Sequence, residues 1–586
     1  MKNLNLFTYL FLTFTFCVGA QYNFTLPEQF RTQRNLPILD LDNKMDVKLV
    51  DYGAKPNDGK DDGEYIKKAL TMCKKLATSG MNVRLLFEKG RYDLFTNKNN
   101  SHLVELNGAS NIVIDGNGSE IIIHDPLMGF MSIFKCSNII VKNLFIDYDP
   151  LPFVQGKIVA VNQDTNSFDI KIDEGFPKLT DPMFQNASRC WGMLMDPTIP
   201  GKLKDGAPNL FGSKNFKEIS EGVFSVTFET NRLLKFVEVG DLYVHIARTN
   251  GKTIFKSGSS KNITYLNVTN YTSPAGSYNA FDMEEWNIIG CEVKLKPGRI
   301  HSANADCIHA NGGKFGPWIE NSLFEGYSDD AMNLKATRAI ILRQESPTEL
   351  VVKAAVIKGD IIRIFNPREG ILIGKYEIVA NKFLGDREMQ ITLDQPINQK
   401  LNVGEDKTND IVYVDSQSNE SFVVRNNTFK NARRYGLLLQ SSNGVIERNL
   451  FENLSQAGIT IYNGVDWGEG FVAHDILINQ NIFNNCGYDF TYLKEENAAT
   501  IRMVVNKLKD LEVKGKWNGV AKADWQGIEN IIITNNTFSY NKMALSIECS
   551  QNTIIKTNRF IRNSKDLSET NGIIRENNNS NLVFEN

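Results

Sequence analysis

The 586-residue chain is sparing in cysteine, balanced in charge and, past its first twenty residues, without long apolar runs. Its eight cysteines are scattered and include no CxxC pair, which argues against a zinc site and against a disulfide framework. Lys+Arg numbers 65 against 68 Asp+Glu, so no basic face exists for a nucleic acid or an anionic membrane, and neither is an expected partner. No later stretch approaches the roughly 18 uninterrupted apolar residues of a membrane helix, so no membrane insertion is expected.

The first twenty residues have the pattern of a leader. Lys2 supplies a positive start, Leu6 to Val18 an apolar core, and Val18-Gly19-Ala20 a small-residue cleavage site before Gln21. Cleavage near Ala20 predicts a secreted or periplasmic protein. Phe16 stands where a lipid-attachment signal at Cys17 needs a small residue, so release is expected rather than anchoring. The remaining cysteines fit small buried hydrophobes in a repetitive core.

What the chain has is repetition. "VVRNNTFKN", "VIERNLFEN", "LINQNIFNN", "IITNNTFSYN" and "IIKTNRFIRN" place phenylalanine at 429, 451, 483, 538 and 560, with steps of 22, 32, 55 and 22. Two steps are bare and two carry insertions. Upstream, "NIVIDGN", "NIIVKNLFI", "NITYLNV", "NIIGCEV" and "WIENSLF" repeat the same theme of β-branched run, Asn-rich turn and short strand. A period near 22 predicts a right-handed parallel β-helix whose coils stack about 4.8 Å apart. Inward Ile, Val, Leu and Phe stack on their equivalents, and Asn suits the left-handed turn and can bond to the next coil.

Two blocks break the rhythm. From about 151 to 250, and from about 337 to 418, alternating strands replace the Asn pattern, and "GD" before an apolar strand recurs at Gly240-Asp241 and Gly359-Asp360. Both blocks are expected to be small inserted β-barrels. The expected organisation is therefore all-β: leader 1–20, cap and first coils 21–150, barrel 151–250, coils 251–336, barrel 337–418, and coils 419–586. The stretch "VDYGAKPNDGKDDGEYIKKALTMCKKL" supplies an extended start and an amphipathic capping helix from about Gly63 to Leu76, which closes the apolar end of the solenoid. It resembles the opening of secreted β-helix enzymes that act on polysaccharides.

The chemistry concentrates in "NADCIHANGGKFGPWIENSLFEGYSDDAMNLK". With a coil of 22 or 23 residues, Asp306 and Asp329 occupy equivalent places on adjacent coils and Asp330 sits one place further on. Stacked, desolvated carboxyls repel, so one keeps its proton while a neighbour ionises, as general acid and base catalysis requires. Glycoside hydrolysis uses such a set. A calcium site, which takes oxygen ligands of this kind, and a solvated acidic turn stay open as alternatives at this point.

Together the Asp306 turn "ADCIHANGG", the "YSDDAMNLK" coil, the cap, the two insertions and "ITIYNGVDWGEG" resemble glycoside hydrolase family 110, inverting exo-acting α-1,3-galactosidases. The resemblance covers essentially the whole mature chain. It implies Asp306, Asp329 and Asp330 as catalytic carboxylates, no cofactor, no metal ligand, and a glycan with terminal α-galactose as partner. A looser likeness to polygalacturonases implies Asp329 as acid, with Asp306 and Asp330 orienting water. The later coils "RRYGLLLQ" and "QAGITIYNG" lack the carboxylate clamp of those enzymes, which points to a neutral sugar.

Further candidates for sugar binding are His309, three residues past Asp306, Arg434 and Tyr435 at the equivalent turn of a later coil, and Trp467 and Glu469 on a Gly-rich loop. Each also fits a structural place: His309 on the outer stack, Arg434 as an exposed turn residue, Trp467 as loop packing. Two other functions remain in view: a calcium-dependent lyase on the same scaffold, and a carbohydrate-binding β-helix without catalysis.

Overall fold

The computed structural model describes residues 22–585 apart from 23, 28–29, 31–33, 96–100, 214, 513–517 and 562–571. The expected leader at 1–20 lies outside the described residues. Among the described residues thirty-one strands join in one parallel assembly, each coil pairing with the next. Residues 318–320 pair with 423–425, then 445–447, then 477–479, and so on to the C-terminal coils. This is the expected β-helix.

The phenylalanines of the repeat form one continuous interior stack. Phe324, Phe429, Phe451, Phe483, Phe538 and Phe560 lie with ring centroids 4.8–5.2 Å apart and planes within 16°. Two asparagine columns flank it. The first residue of each "NN", "RN", "QN" or "TN" pair is left-handed: Asn426, Arg448, Gln480, Asn535 and Thr557 all have φ between 53° and 57°. The second residue is always Asn. Asn427, Asn449, Asn481, Asn536 and Asn558 are buried, and from Asn449 onward each Oδ1 accepts the backbone N–H and an Nδ2–H of the preceding one at 2.9–3.0 Å. The residue fixed as Asn is therefore the ladder residue, because only a short amide can donate and accept along the stack. The left-handed place also takes Arg, Gln and Thr.

The capping helix runs Gly63–Thr78 and turns Ile66, Ala69, Leu70, Cys73 and Ala77 inward, the 3–4 spacing of one helical face. That face covers the apolar end of the first coils, with Val83 and Leu85 in the same core.

Neither insertion breaks the helix. Phe255–Asn270 pairs back onto Gly129–Phe134 and Ser137–Tyr148, so the coils before and after the first insertion are neighbours. Met332–Lys335 likewise pairs directly with Leu437–Gln440 across the second. The second insertion, from Arg338–Ser346 to Ile411–Val414, is a closed six-stranded antiparallel barrel as expected. The first differs from the expected barrel: it is a seven-stranded antiparallel sheet whose edges are Phe211–Gly212 and Asn215–Ser220. These edges follow one another in the chain, so the sheet curls round, but one of them is only two residues long and no ladder joins the two among the described residues. Each insertion has its own apolar core, built on Phe168, Ile170, Phe224 and Tyr243 in the first and on Ile341, Val352, Ile364 and Val412 in the second.

The ring stack should carry much of the stability of the C-terminal coils. Phe451→Ala is expected to cost about 3–5 kcal/mol, the usual range for a buried aromatic truncated to a cavity. Denaturant unfolding measures it, and a loss below about 1 kcal/mol would show that the stack is not a tightly packed interior element.

Candidate active site

The aspartates are set by coil register. Ile308 pairs with Met332, so counting back two residues places Asp306 opposite Asp330, with Asp329 one step before. The local period is 24, not 22 or 23, which corrects the expected alignment of Asp306 with Asp329. Hydrogen bonds at the turn agree: Cys307 N–H donates to Asp330 O at 3.0 Å, and Asp330 N–H donates to Asp306 Oδ1 at 3.0 Å. Ile308, Met332, Leu437 and Ile459 anchor these turns in the core, each fully buried. Met332 pairs with Leu437, which puts Arg434 opposite Asp329 and Tyr435 opposite Asp330 on the following coil.

The three carboxyls converge as expected, each offering an oxygen within 4.8 Å of the others. Positive charge meets them from two directions. Arg434 Nη1 bonds one oxygen of Asp329 and Arg248 Nη1 bonds the other. Arg434 Nε also lies 3.6 Å from Asp330 Oδ1. Arg248 ends the strand Leu242–Arg248 of the first insertion, so the insertion supplies part of the site. The indole of Trp191, from the same sheet, lies 5.5 Å from the Arg248 guanidinium and 5.0 Å from that of Arg433.

These contacts divide the protons. Burial opposes charge on Asp329, but Arg434, Arg248 and Arg433 override it and hold that carboxyl well below the usual range. Burial, with the Asp329 charge added, pushes Asp306 up to about 7. Asp330 is raised well above its ordinary value, first by burial and then by Asp329 and Asp306 against the pull of Arg434; among the described residues neither of its carboxyl oxygens has a hydrogen-bond partner. The two ion pairs favour the anion on Asp329, and burial favours the proton on Asp330 and, below about pH 7, on Asp306. The same arginines bear on a metal: Asp329 already has a cation on each oxygen, so the chain itself supplies the positive charge that a shared ion would bring.

The other candidates fall in different places. His309 is half-buried on the outer face of its strand, in register with Asn279 and Asn333, and burial together with Lys335 lowers it to about 4, which keeps it neutral. Tyr435 is buried beneath the Arg434 guanidinium, 5.1 Å from its ring centroid, and its hydroxyl accepts from Arg502 Nη2 at 2.6 Å. It is a support for Arg434. Glu469 forms an ion pair with Lys335 at 2.5 Å, and its backbone carbonyl accepts from Tyr413 of the second insertion at 2.6 Å, so the Gly-rich loop is tied to the outer face of the Asp330 strand. Trp467, on the same loop, is 61% exposed. Sequence reasoning missed Arg248, Arg433, Trp191 and Lys335. Lys335 could have been found as an outward position in "MNLK", whereas Arg248 and Trp191 lie in an insertion with no repeat to align them.

With this geometry established, known proteins can be compared. A family model described as periplasmic copper-binding protein (NosD) matches residues 400–527. The α-1,3-galactosidase A of Shewanella woodyi is 24% identical over 561 residues, covering 89% of this chain and 86% of its own. The α-1,3-galactosidase B of Bacteroides thetaiotaomicron is 27% identical over 482 residues, 75% of each. Over most of its length the chain is thus similar to proteins named α-1,3-galactosidase. Among solved structures, a hyperthermoactive exopolygalacturonase from Thermotoga maritima aligns over 94% of each chain at 12% identity, with a TM-score of 0.39. No helix among the described residues is long and apolar enough to cross a membrane.

The split of protons predicts opposite effects on stability. Asp306 binds its proton more tightly folded than unfolded, so its ionisation weakens the fold as pH rises from about 4 to about 7. Asp329 is the reverse case, contributing stability above the ordinary carboxyl range and losing it in acid. Ligand-free Asp306→Asn should therefore melt above the wild type at about pH 8, with the gap closing toward about pH 4, whereas Asp329→Asn should melt below it at about pH 8 because two half-buried arginines lose their anion. Thermal melts across that range check both. An Asp306→Asn gap that does not change with pH would contradict the proton placement.

Proposed function

We propose that this protein is an exported, exo-acting glycosidase that removes terminal α-1,3-linked galactose with inversion. The observation that carries the reading is the carboxyl set itself, an arginine-held carboxylate with two further carboxyls within 4.8 Å, in a chain similar to proteins named α-1,3-galactosidase. An acid and a base side by side are what glycosidic cleavage needs. Arg248 of the first insertion contacts Asp329 directly, and exo action is the part of this reading that comes with the proteins the chain resembles.

Asp330, already protonated, can give its proton to the leaving oxygen while ionised Asp329, with Asp306, activates water. For Asp329 to act as acid, it must first be released by two arginines and take up a proton; the observed pairing favours Asp330. Separation alone does not select inversion, since oxygens within 4.8 Å fall below the roughly 6.5–9.5 Å usual for inverting pairs. The ion pairs support inversion instead: a retaining mechanism needs a free carboxylate nucleophile, and a glycosyl ester on Asp329 would take the anion from Arg248 and Arg434, while burial favours the protonated form of Asp330. Water is then the nucleophile. Export rests on the leader pattern of the first twenty residues.

The purified protein should release galactose from α-1,3-galactobiose, in the presence or absence of a chelator, with β-galactose as the first anomer in early proton NMR spectra. Asp329→Asn and Asp330→Asn should each lower kcat by about a hundredfold or more. First-formed α-galactose would overturn water attack, and loss of activity in chelator restored by calcium would favour the lyase.

A further inference from the structure

Arg502 is 7% exposed, in a place where the coil itself calls for no cation. It lies between the core residues Ile501 and Met503 and so on the outer side of its strand, where the positions in register are Leu438 and Thr460 on the coils before it and Ser546 on the coil after. Burying a guanidinium is costly unless partners meet it. Arg502 Nη2 donates to the Tyr435 hydroxyl at 2.6 Å, Nε donates to Thr460 Oγ1 at 2.9 Å, and Nη1 pairs with Glu495.

The contacts run on to the carboxyl set. The Arg502 guanidinium lies 5.1 Å from the centre of the Tyr435 ring, and that of Arg434 lies at the same distance. Arg434 is the coil's own cation on Asp329. The Tyr492 ring is 5.3 Å from Arg502. Tyr492 and Glu495 belong to a segment, 486–500, placed between the coil strands Ile482–Asn484 and Ile501–Val504. That segment also reaches the first insertion: Tyr488 shares an apolar cluster with Val244 and Ile246, on the strand that ends in Arg248, and the Phe490 ring lies 5.0 Å from that of Phe236. One segment thus touches the mounts of both arginines that bond Asp329.

We propose that Arg502 is a positioning residue: braced by Glu495, it fixes the Tyr435 ring, the ring holds Arg434 on Asp329, and residues 486–500 thereby set the spacing of the two guanidiniums on that carboxylate. A ring whose hydroxyl bonds a buried guanidinium cannot turn without breaking a charge-assisted hydrogen bond. A fixed ring face in turn fixes the cation that rests on it. Two guanidiniums satisfy the two oxygens of one carboxylate only when their separation is held, and the acid-base chemistry depends on that carboxylate staying an anion in place. The kinetic half of the test rests on the glycosidase reading, and the structural half does not.

The test uses Tyr435→Phe, which removes only the hydroxyl, together with Arg502→Met, Arg502→Lys and the Tyr435→Phe/Arg502→Met pair, all in the full protein. Rates are measured on α-1,3-galactobiose, and ligand-free crystal structures are determined. Tyr435→Phe and Arg502→Met should each lower kcat about tenfold with KM within about twofold of the wild type. Arg502→Lys should recover part of the loss, because an ammonium can still donate to the Tyr435 hydroxyl. The double variant should be no slower than the slower single one, since both changes act through one contact. In the crystals of both single variants the Arg434 guanidinium should have left Asp329. Arg434 unmoved on Asp329, a kcat within about twofold of the wild type, or losses that multiply in the double variant would overturn the proposal. If Arg502→Met does not fold, Tyr435→Phe decides by the same two measurements. A wild type that releases no galactose would sink the glycosidase reading, and the position of Arg434 in the crystals then decides this one alone.

Discussion

The ladder of hydrogen bonds between successive coils is the constraint on which the site depends. A parallel ladder admits no sliding, since a one-residue slip would turn every inward side chain outward. With Phe324, Phe429 and Phe451 stacked in the interior and Asn427 bonded to Asn449, each coil has one available register. That register brings Asp306 beside Asp330, Arg434 beside Asp329, and Gln456 beside Arg434, although insertions separate some of them widely in sequence. The insertions occupy turns, where extra chain leaves the ladder intact, so a whole barrel can be accommodated between two adjacent coils.

Three carboxyls on one face would be costly if all were ionised. The site avoids that by satisfying one of them fully: Asp329 takes a guanidinium on each oxygen, from a coil and from an inserted sheet. Its fixed charge then helps to keep Asp306 and Asp330 protonated. The arrangement stores a proton and an anion side by side in the absence of substrate. It also explains why the first insertion belongs to the site: without Arg248, half of the charge on Asp329 would face no cation.

Much of this was legible in the sequence, for physical reasons that differ from element to element. The phenylalanine spacing at 429, 451, 483, 538 and 560 reports the interior directly, since identical rings must stack in identical places. The cap was legible because Ile66, Leu70, Cys73 and Ala77 follow helical spacing. The aspartates were visible as a set, but their pairing was off by one because the Asp306 coil is longer than the repeat suggests. Arg248 was not legible: it lies 81 residues from Asp329, in a sheet with no periodic link to the coils. The closure of the first insertion was also beyond reach, because alternation predicts strands but not whether a two-residue edge will complete a barrel.

The central claim is that Arg248 and Arg434 keep Asp329 ionised while Asp330 carries a proton. Neutron diffraction from a deuterated, ligand-free crystal at about pH 6 sees that proton directly, below the value of about 7 for Asp306. The account predicts nuclear density for deuterium on Asp330 and none on either oxygen of Asp329. Deuterium on Asp329, with Asp330 bare, would contradict it.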